Sequence, residues 1–186
     1  MKVGILGVGA IPVALLMEVT QALVHDLPDV SSVVVGDVLA VPQNAFDRRR
    51  NQYISSMILS DVRSYAGRKT GLDRVLGLVD VDVYAYGLNY VFGEAYSPGE
   101  AGLVSIWRLR PQFYGEATDD KALMERTIKE AVHELGHTLG LQHCLKNRCV
   151  MHFSNSIFDT DKKQRFFCDQ CYLMASIAID KIGQTA

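Results

Sequence analysis

The first 143 residues contain no cysteine, while four cysteines fall in the last 43. A disulfide framework running through the chain is thereby excluded, and the clustering needs a local explanation. Neither sign of charge dominates: 19 Lys and Arg against 21 Asp and Glu leave a formal net charge of −2. Composition therefore gives no reason to expect nucleic acid or an anionic membrane as partner. The one basic run, Arg48-Arg49-Arg50, is short enough to be a solvated turn. No stretch reaches the roughly 18 continuous apolar residues of a membrane span. Met1 to Met17 is apolar but carries a single Lys, is broken by Gly7, Gly9 and Pro12, and has no small-x-small cleavage site before Glu18. It reads as a strand and a helix, not a leader, and the cytoplasm is the expected compartment. Internal repeats and low-complexity tracts are also missing. What remains is a chain of 186 residues, 48% of them hydrophobic, sufficient for one domain over 1–186.

The pattern alternates between strand and helix. Lys2 to Leu6 reads as a buried strand, Val13 to Val24 as an amphipathic helix after Pro12, and Ser31 to Val35 as a second strand closed by Gly36. Leu39 to Asn44 reads as loop or irregular strand, Gln52 to Tyr65 as a helix, and the apolar Val75 to Val81 as a central strand. Tyr90 to Tyr96 and Gly102 to Trp107 flank Ser97-Pro98-Gly99-Glu100, a turn signal that predicts a hairpin. Asp119 or Asp120 can cap a long helix ending near Leu139, and Tyr172 to Ile182 reads as a last helix. These elements indicate an α/β or α+β mixed sheet with an antiparallel edge hairpin. The natural division is an N-terminal subdomain of sheet and helices, residues 1–140, and a C-terminal subdomain, residues 141–186. Gly7-x-Gly9 after a strand hints at nucleotide binding, but Pro12 occupies the third glycine position, so a tight turn is the better reading.

Chemistry concentrates at the end of the long helix. His133-Glu134-Leu135-Gly136-His137-Thr138-Leu139-Gly140-Leu141-Gln142-His143 places three of only five histidines within eleven positions. Residues four apart share a helix face, so His133 and His137 can converge on one metal ion. Gly140 lets the chain leave the helix, bringing His143 back as third ligand. Three protein ligands leave one position open, the mark of a catalytic zinc site. Glu134 stands where it can act on water instead of ligating. A core helix that happens to carry histidines is the bland reading, and it leaves this spacing unexplained.

Cys144, Cys149, Cys168 and Cys171 follow directly. As a four-thiolate set they would close around a second, structural zinc; two disulfides and a redox Cys168-x-x-Cys171 are the competing readings. With no visible leader, zinc fits better. Met151, between the cysteines, can lie beneath the first metal as a polarizable floor, or be a plain core methionine.

The string from His133 to His143, followed at once by Cys144, then Cys149-Val150-Met151 and Cys168-x-x-Cys171, resembles the archaemetzincin family of zinc metallopeptidases. The Gly-rich first strand, Gln52-Tyr53-x-Ser55 and the Tyr90-to-Trp107 hairpin also suit that family's layout. The resemblance implies a compact single-domain metzincin-like fold whose C-terminal segment is stapled by metal. It implies two zinc ions: a catalytic one on His133, His137 and His143, and a structural one on the four cysteines. It also implies Glu134 as general base, Met151 as the Met-turn residue, and peptidase or aminopeptidase action on small peptides. An extended substrate would lie along the edge strand, which draws in Tyr90, Glu94 and Tyr96, with Glu94 a candidate for a free α-amino group. Tyr172 or His152 could assist at an oxyanion. The expected state is a monomer whose partner is a peptide or protein substrate. The alternative is a zinc-stabilised peptide-binding module with a latent or occluded site.

Overall fold

The computed structural model describes residues 1–27 and 29–185. Lys2–Val8 forms β1, buried at every position after Lys2. A strand that hides both faces needs a layer on each side, and the layers follow from the neighbouring elements. Ser31–Leu39 (β2) and Arg74–Val79 (β5) flank β1 in parallel, Ala101–Ser105 (β8) pairs parallel with β5, and Gly93–Ala95 (β7) pairs antiparallel with β8 at the edge. The order β2-β1-β5-β8-β7 puts the apolar β5 at the centre, as its composition predicts. Helices Val13–Asp26 (α1) and Asp120–Thr138 (α3) cover one face, where Val19, Leu23, Val132 and Leu135 join Ile5, Leu76 and Val104. Ser55–Ala66 (α2) covers the other, setting Ile58 and Val62 against Leu6, Val75 and Leu103. Full burial of such side chains contributes about 1.5–3 kcal/mol each before chain entropy is counted.

Several boundaries differ from the sequence reading, each for a tertiary reason. Gln52–Ile54 is a strand (β4), not the first turn of a helix. It pairs antiparallel with Phe46–Asp47 (β3) and parallel with Val83–Tyr84 (β6), partners that lie far off in sequence or outside the helical period. β2 runs on through Gly36 to Leu39 because β1 supplies a ladder that far. The edge hairpin forms, but β7 is only three residues long, so Tyr90 and Tyr96 lie outside it.

α3 is the element that positions the site. Asp119 caps it, its carboxylate accepting from the Ala122 N–H at 2.9 Å. The chain leaves it at Gly140, whose φ of 88° is one that residues with a side chain rarely adopt. Beyond it, Ile157–Lys162 (α4) is a helix the sequence reading lacks. Six residues are too few for periodicity, but Ser156 and Asp159 form a capping box that a motif search could find. The last helix, Asp169–Thr185 (α5), begins three residues before the expected Tyr172.

Candidate metal centre and cleft

α3 carries His133 and His137 one turn apart. The Nδ1 of His133 lies 2.8 Å from the Val150 carbonyl, and that of His137 lies 2.8 Å from the Leu141 carbonyl. A carbonyl only accepts, so both Nδ1 atoms carry the proton and both Nε2 lone pairs are free. Those lone pairs converge: His137 Nε2 is 3.1 Å from His133 Nε2 and 3.2 Å from His143 Nε2. Ligand nitrogens 2.0–2.1 Å from a tetrahedral zinc stand about 3.3 Å apart, so the donor set fits that ion. Burial lowers the pKa of all three imidazoles, His133 most strongly, which keeps them neutral and able to ligate.

Glu134 lies beside them, 4% exposed, and its buried Oε2 has no hydrogen-bond partner among the described residues. Burial lifts its carboxyl well above the usual range; Glu130 and Glu94 push the same way and Lys163 opposes them. An unpartnered buried carboxylate oxygen is costly unless something binds there.

The four cysteines also gather. Each cluster, His133/His137/His143 and Cys144/Cys149/Cys168/Cys171, brings its donor atoms within 4.8 Å of one another. Cys144 and Cys168 sulfurs are 3.9 Å apart, and all four thiols are free. That spacing is about twice a disulfide bond and close to the ~3.8 Å edge of a tetrahedral four-thiolate zinc site. Burial opposes ionisation of Cys168, but hydrogen bonds from Cys171 and the other thiols outweigh it and bring its pKa down to about 7. The Cys144 N–H donates to the Met151 carbonyl at 2.8 Å, which folds the segment back under α3. There Met151 is fully buried against Gly136: a Cβ at Gly136 would meet its Cε at 3.1 Å.

A cleft of about 640 Å³ crosses the three imidazoles. Residues 88–95 line one side, and Phe153, Ser154 and Asn155 line the other. Tyr90 and Glu94 both line it. Tyr90 donates its hydroxyl to the Asn155 carbonyl at 2.8 Å and lies under the Arg108 guanidinium at 4.3 Å. Glu94 accepts a short hydrogen bond from Ser55, the first residue of α2. Tyr96 is elsewhere: its ring stacks under Arg63 on the α2 side and does not line the cleft. Nor do His152, whose Nδ1 is 2.9 Å from the Cys144 carbonyl, or the half-exposed Tyr172.

Known proteins share the fold and much of the sequence. The model of peptidase family M54 matches residues 16–175. An archaemetzincin from Pyrococcus abyssi is 46% identical over 139 residues, covering 75% of this chain and 73% of its own. The crystal structure of an archaemetzincin from Methanopyrus kandleri superposes with a TM-score of 0.84 at 35% identity, over 97% of this chain and 96% of that one. A zinc-dependent peptidase from Methanocorpusculum labreanum also reaches 0.84, at 28% identity, over 93% and 99%. The chain belongs to the archaemetzincins, peptidase family M54.

Membership in this family makes the chain a zinc-dependent metallopeptidase whose candidate metal donors are the His and Cys groups above. Glu130 of the archaemetzincin cleft and its buried partner Lys163 escape the sequence reading. Glu130 lines the floor, accepting from Thr160 at 3.0 Å and pairing at 3.0 Å with Lys163, an ammonium buried on every side. Glu130 is one turn before Glu134 on the expected helix, so helical spacing could have found it; Lys163 sits in a segment with no periodicity. Among the described residues no helix is long and apolar enough to cross a membrane.

Proposed function

We propose that His133, His137 and His143 hold a catalytic zinc through Nε2, and that Glu134 is the general base of peptide-bond hydrolysis. The observation that carries this reading is the convergence of three Nε2 atoms, with the His133 and His137 rings locked by carbonyls, beside a buried carboxylate whose Oε2 has no partner among the described residues. Zinc bound there supplies Lewis acidity, polarising the scissile carbonyl and bringing the pKa of a water towards about 7. Glu134 takes a proton from the attacking water as its oxygen bonds to the carbonyl carbon. The same carboxyl returns that proton to the amine as the C–N bond breaks. Cys144, Cys149, Cys168 and Cys171 hold a second zinc that staples the C-terminal subdomain, residues 141–186, onto itself, and Met151 serves as the floor of the catalytic centre. Four free thiols in one cluster suit a reducing compartment such as the cytoplasm.

The substrate is an extended peptide lying against β7, with Tyr90 on one rim. Glu94 is the candidate anchor for a free α-amino group, which would make the enzyme an aminopeptidase on small peptides. Cleft and both donor clusters are complete in one chain, which supports a monomer. The test is Glu134→Ala with zinc analysis and a fluorogenic panel of peptides with free and blocked N-termini. Loss of turnover with two zinc ions retained is expected, and undiminished turnover in the variant would sink the assignment. Two zinc ions with no cleavage by the wild type anywhere in the panel would favour a peptide-binding module instead.

A further inference from the structure

Among the described residues the buried Oε2 of Glu134 has no hydrogen-bond partner. Its side chain packs on the edge of the sheet. A Cβ built on Gly93 of β7 would lie 2.6 Å from Cγ and 2.7 Å from Cδ of Glu134. Contacts that short would force the Glu134 side chain to shift. Gly93 has no left-handed φ, so the backbone does not demand glycine there; only the space does. Across the ladder on β8, a Cβ on Gly102 would stand 3.4 Å from Glu134 Cβ, and its partner in register is the small Ala95. Gly93, Ala95 and Gly102 thus present a nearly bare patch of strand towards α3. Glu94, between them on the strand, engages Ser55.

We propose that Gly93 is a positioning residue for Glu134: the edge strand is bare at this point so that the carboxylate can lie flat against the backbone, within the cleft it shares with the three imidazoles. The proposal rests on Glu134 being the general base. A methyl group at Gly93 meets Glu134 first and moves its carboxylate by roughly an ångström, and a shift of that size can lower turnover about a hundredfold.

The experiment uses Gly93→Ala, Glu134→Ala, the double variant and Gly36→Ala, a β2 control with open space around its Cβ position. Turnover, KM, zinc content and Tm are measured for each. For Gly93→Ala, kcat falls about a hundredfold while KM and zinc content hold. Its Tm falls below that of the wild type, yet in the Glu134→Ala background the same methyl lowers Tm little, because the atoms it would strike are gone. Gly36→Ala behaves as wild type. If Gly93→Ala fails to fold but the double variant folds, the contact with Glu134 is supported. Failure of both to fold, an equal Tm loss in both backgrounds, or wild-type kcat in Gly93→Ala overturns the proposal. An active Glu134→Ala overturns the base assignment and this proposal together. A silent Gly93→Ala beside an inactive Glu134→Ala overturns this proposal alone.

Discussion

Single atoms decide the chemistry at this centre. Gly136, inside the histidine motif, has no side chain because Met151 and Phe167 fill the space: a Cβ would meet Met151 Cε at 3.1 Å and Phe167 Cε1 at 3.2 Å. Gly136→Ala should therefore cost about 1–3 kcal/mol by overpacking. Its effect reaches the metal donors, since Met151 neighbours Val150, whose carbonyl holds His133. A lower Tm with weaker zinc retention in a competition assay is the expected result; unchanged Tm would mean Met151 is free to move aside. The buried pair Lys163–Glu130 gives a second residue-scale test. Lys163→Ala leaves a carboxylate buried without its cation and should cost about 3–5 kcal/mol in denaturant unfolding, whereas removing both charges with Glu130→Gln/Lys163→Met should recover most of it.

At the scale of elements, the cleft wall at 85–91 has little regular structure of its own. It is tied down by Arg50, which donates to the Leu88 and Asn89 carbonyls at 3.1 and 2.9 Å, and by Gln52, which donates to the Asn89 carbonyl at 3.1 Å. Arg50 is exposed, so Arg50→Ala should change stability by about 1 kcal/mol or less. The freed wall should instead raise KM by about fivefold, the equivalent of ~1 kcal/mol of binding, with zinc content unchanged. A KM equal to wild type would show that the wall holds itself. The C-terminal segment depends on its staple in the same way. Cys168→Ser should remove one zinc per chain and, because Cys144 adjoins His143, lower activity although the three imidazoles are intact. Metal analysis beside kinetics separates that outcome from simple unfolding.

For the whole molecule, acid is the revealing perturbant. Burial depresses the pKa of His133, His137 and His143 in the fold relative to the unfolded chain. The unfolded state then binds more protons between the folded values and about 6.5, so stability rises with pH across that window. The stability these groups contribute is present above about pH 6.5 and is lost as pH falls below it. Zinc binding acts in the same direction, because protons compete for the same lone pairs. Metal-free protein should thus lose denaturant stability on acidification below about pH 6.5, and holoprotein should release zinc over the same range. A His143→Ala variant whose acid profile matches the wild type would exclude this histidine from the effect.

What the sequence determined by itself was whatever depends on short spacings. The i, i+4 histidines, a cap at Asp119 or Asp120, the exit at Gly140 and the short spacing of Cys144 and Cys149 are local, and each is read from a few neighbouring residues. The parallel register of β1, β5 and β8, the short β4 inside an expected helix and the cation Lys163 beneath the site were decided only in three dimensions. Each rests on contacts between residues distant in the chain, for which a one-dimensional pattern holds no signal. Tertiary structure also sorted the three edge candidates: it left Tyr90 and Glu94 on the cleft and turned Tyr96 away, because the contact with Arg63 overrides nearness in sequence.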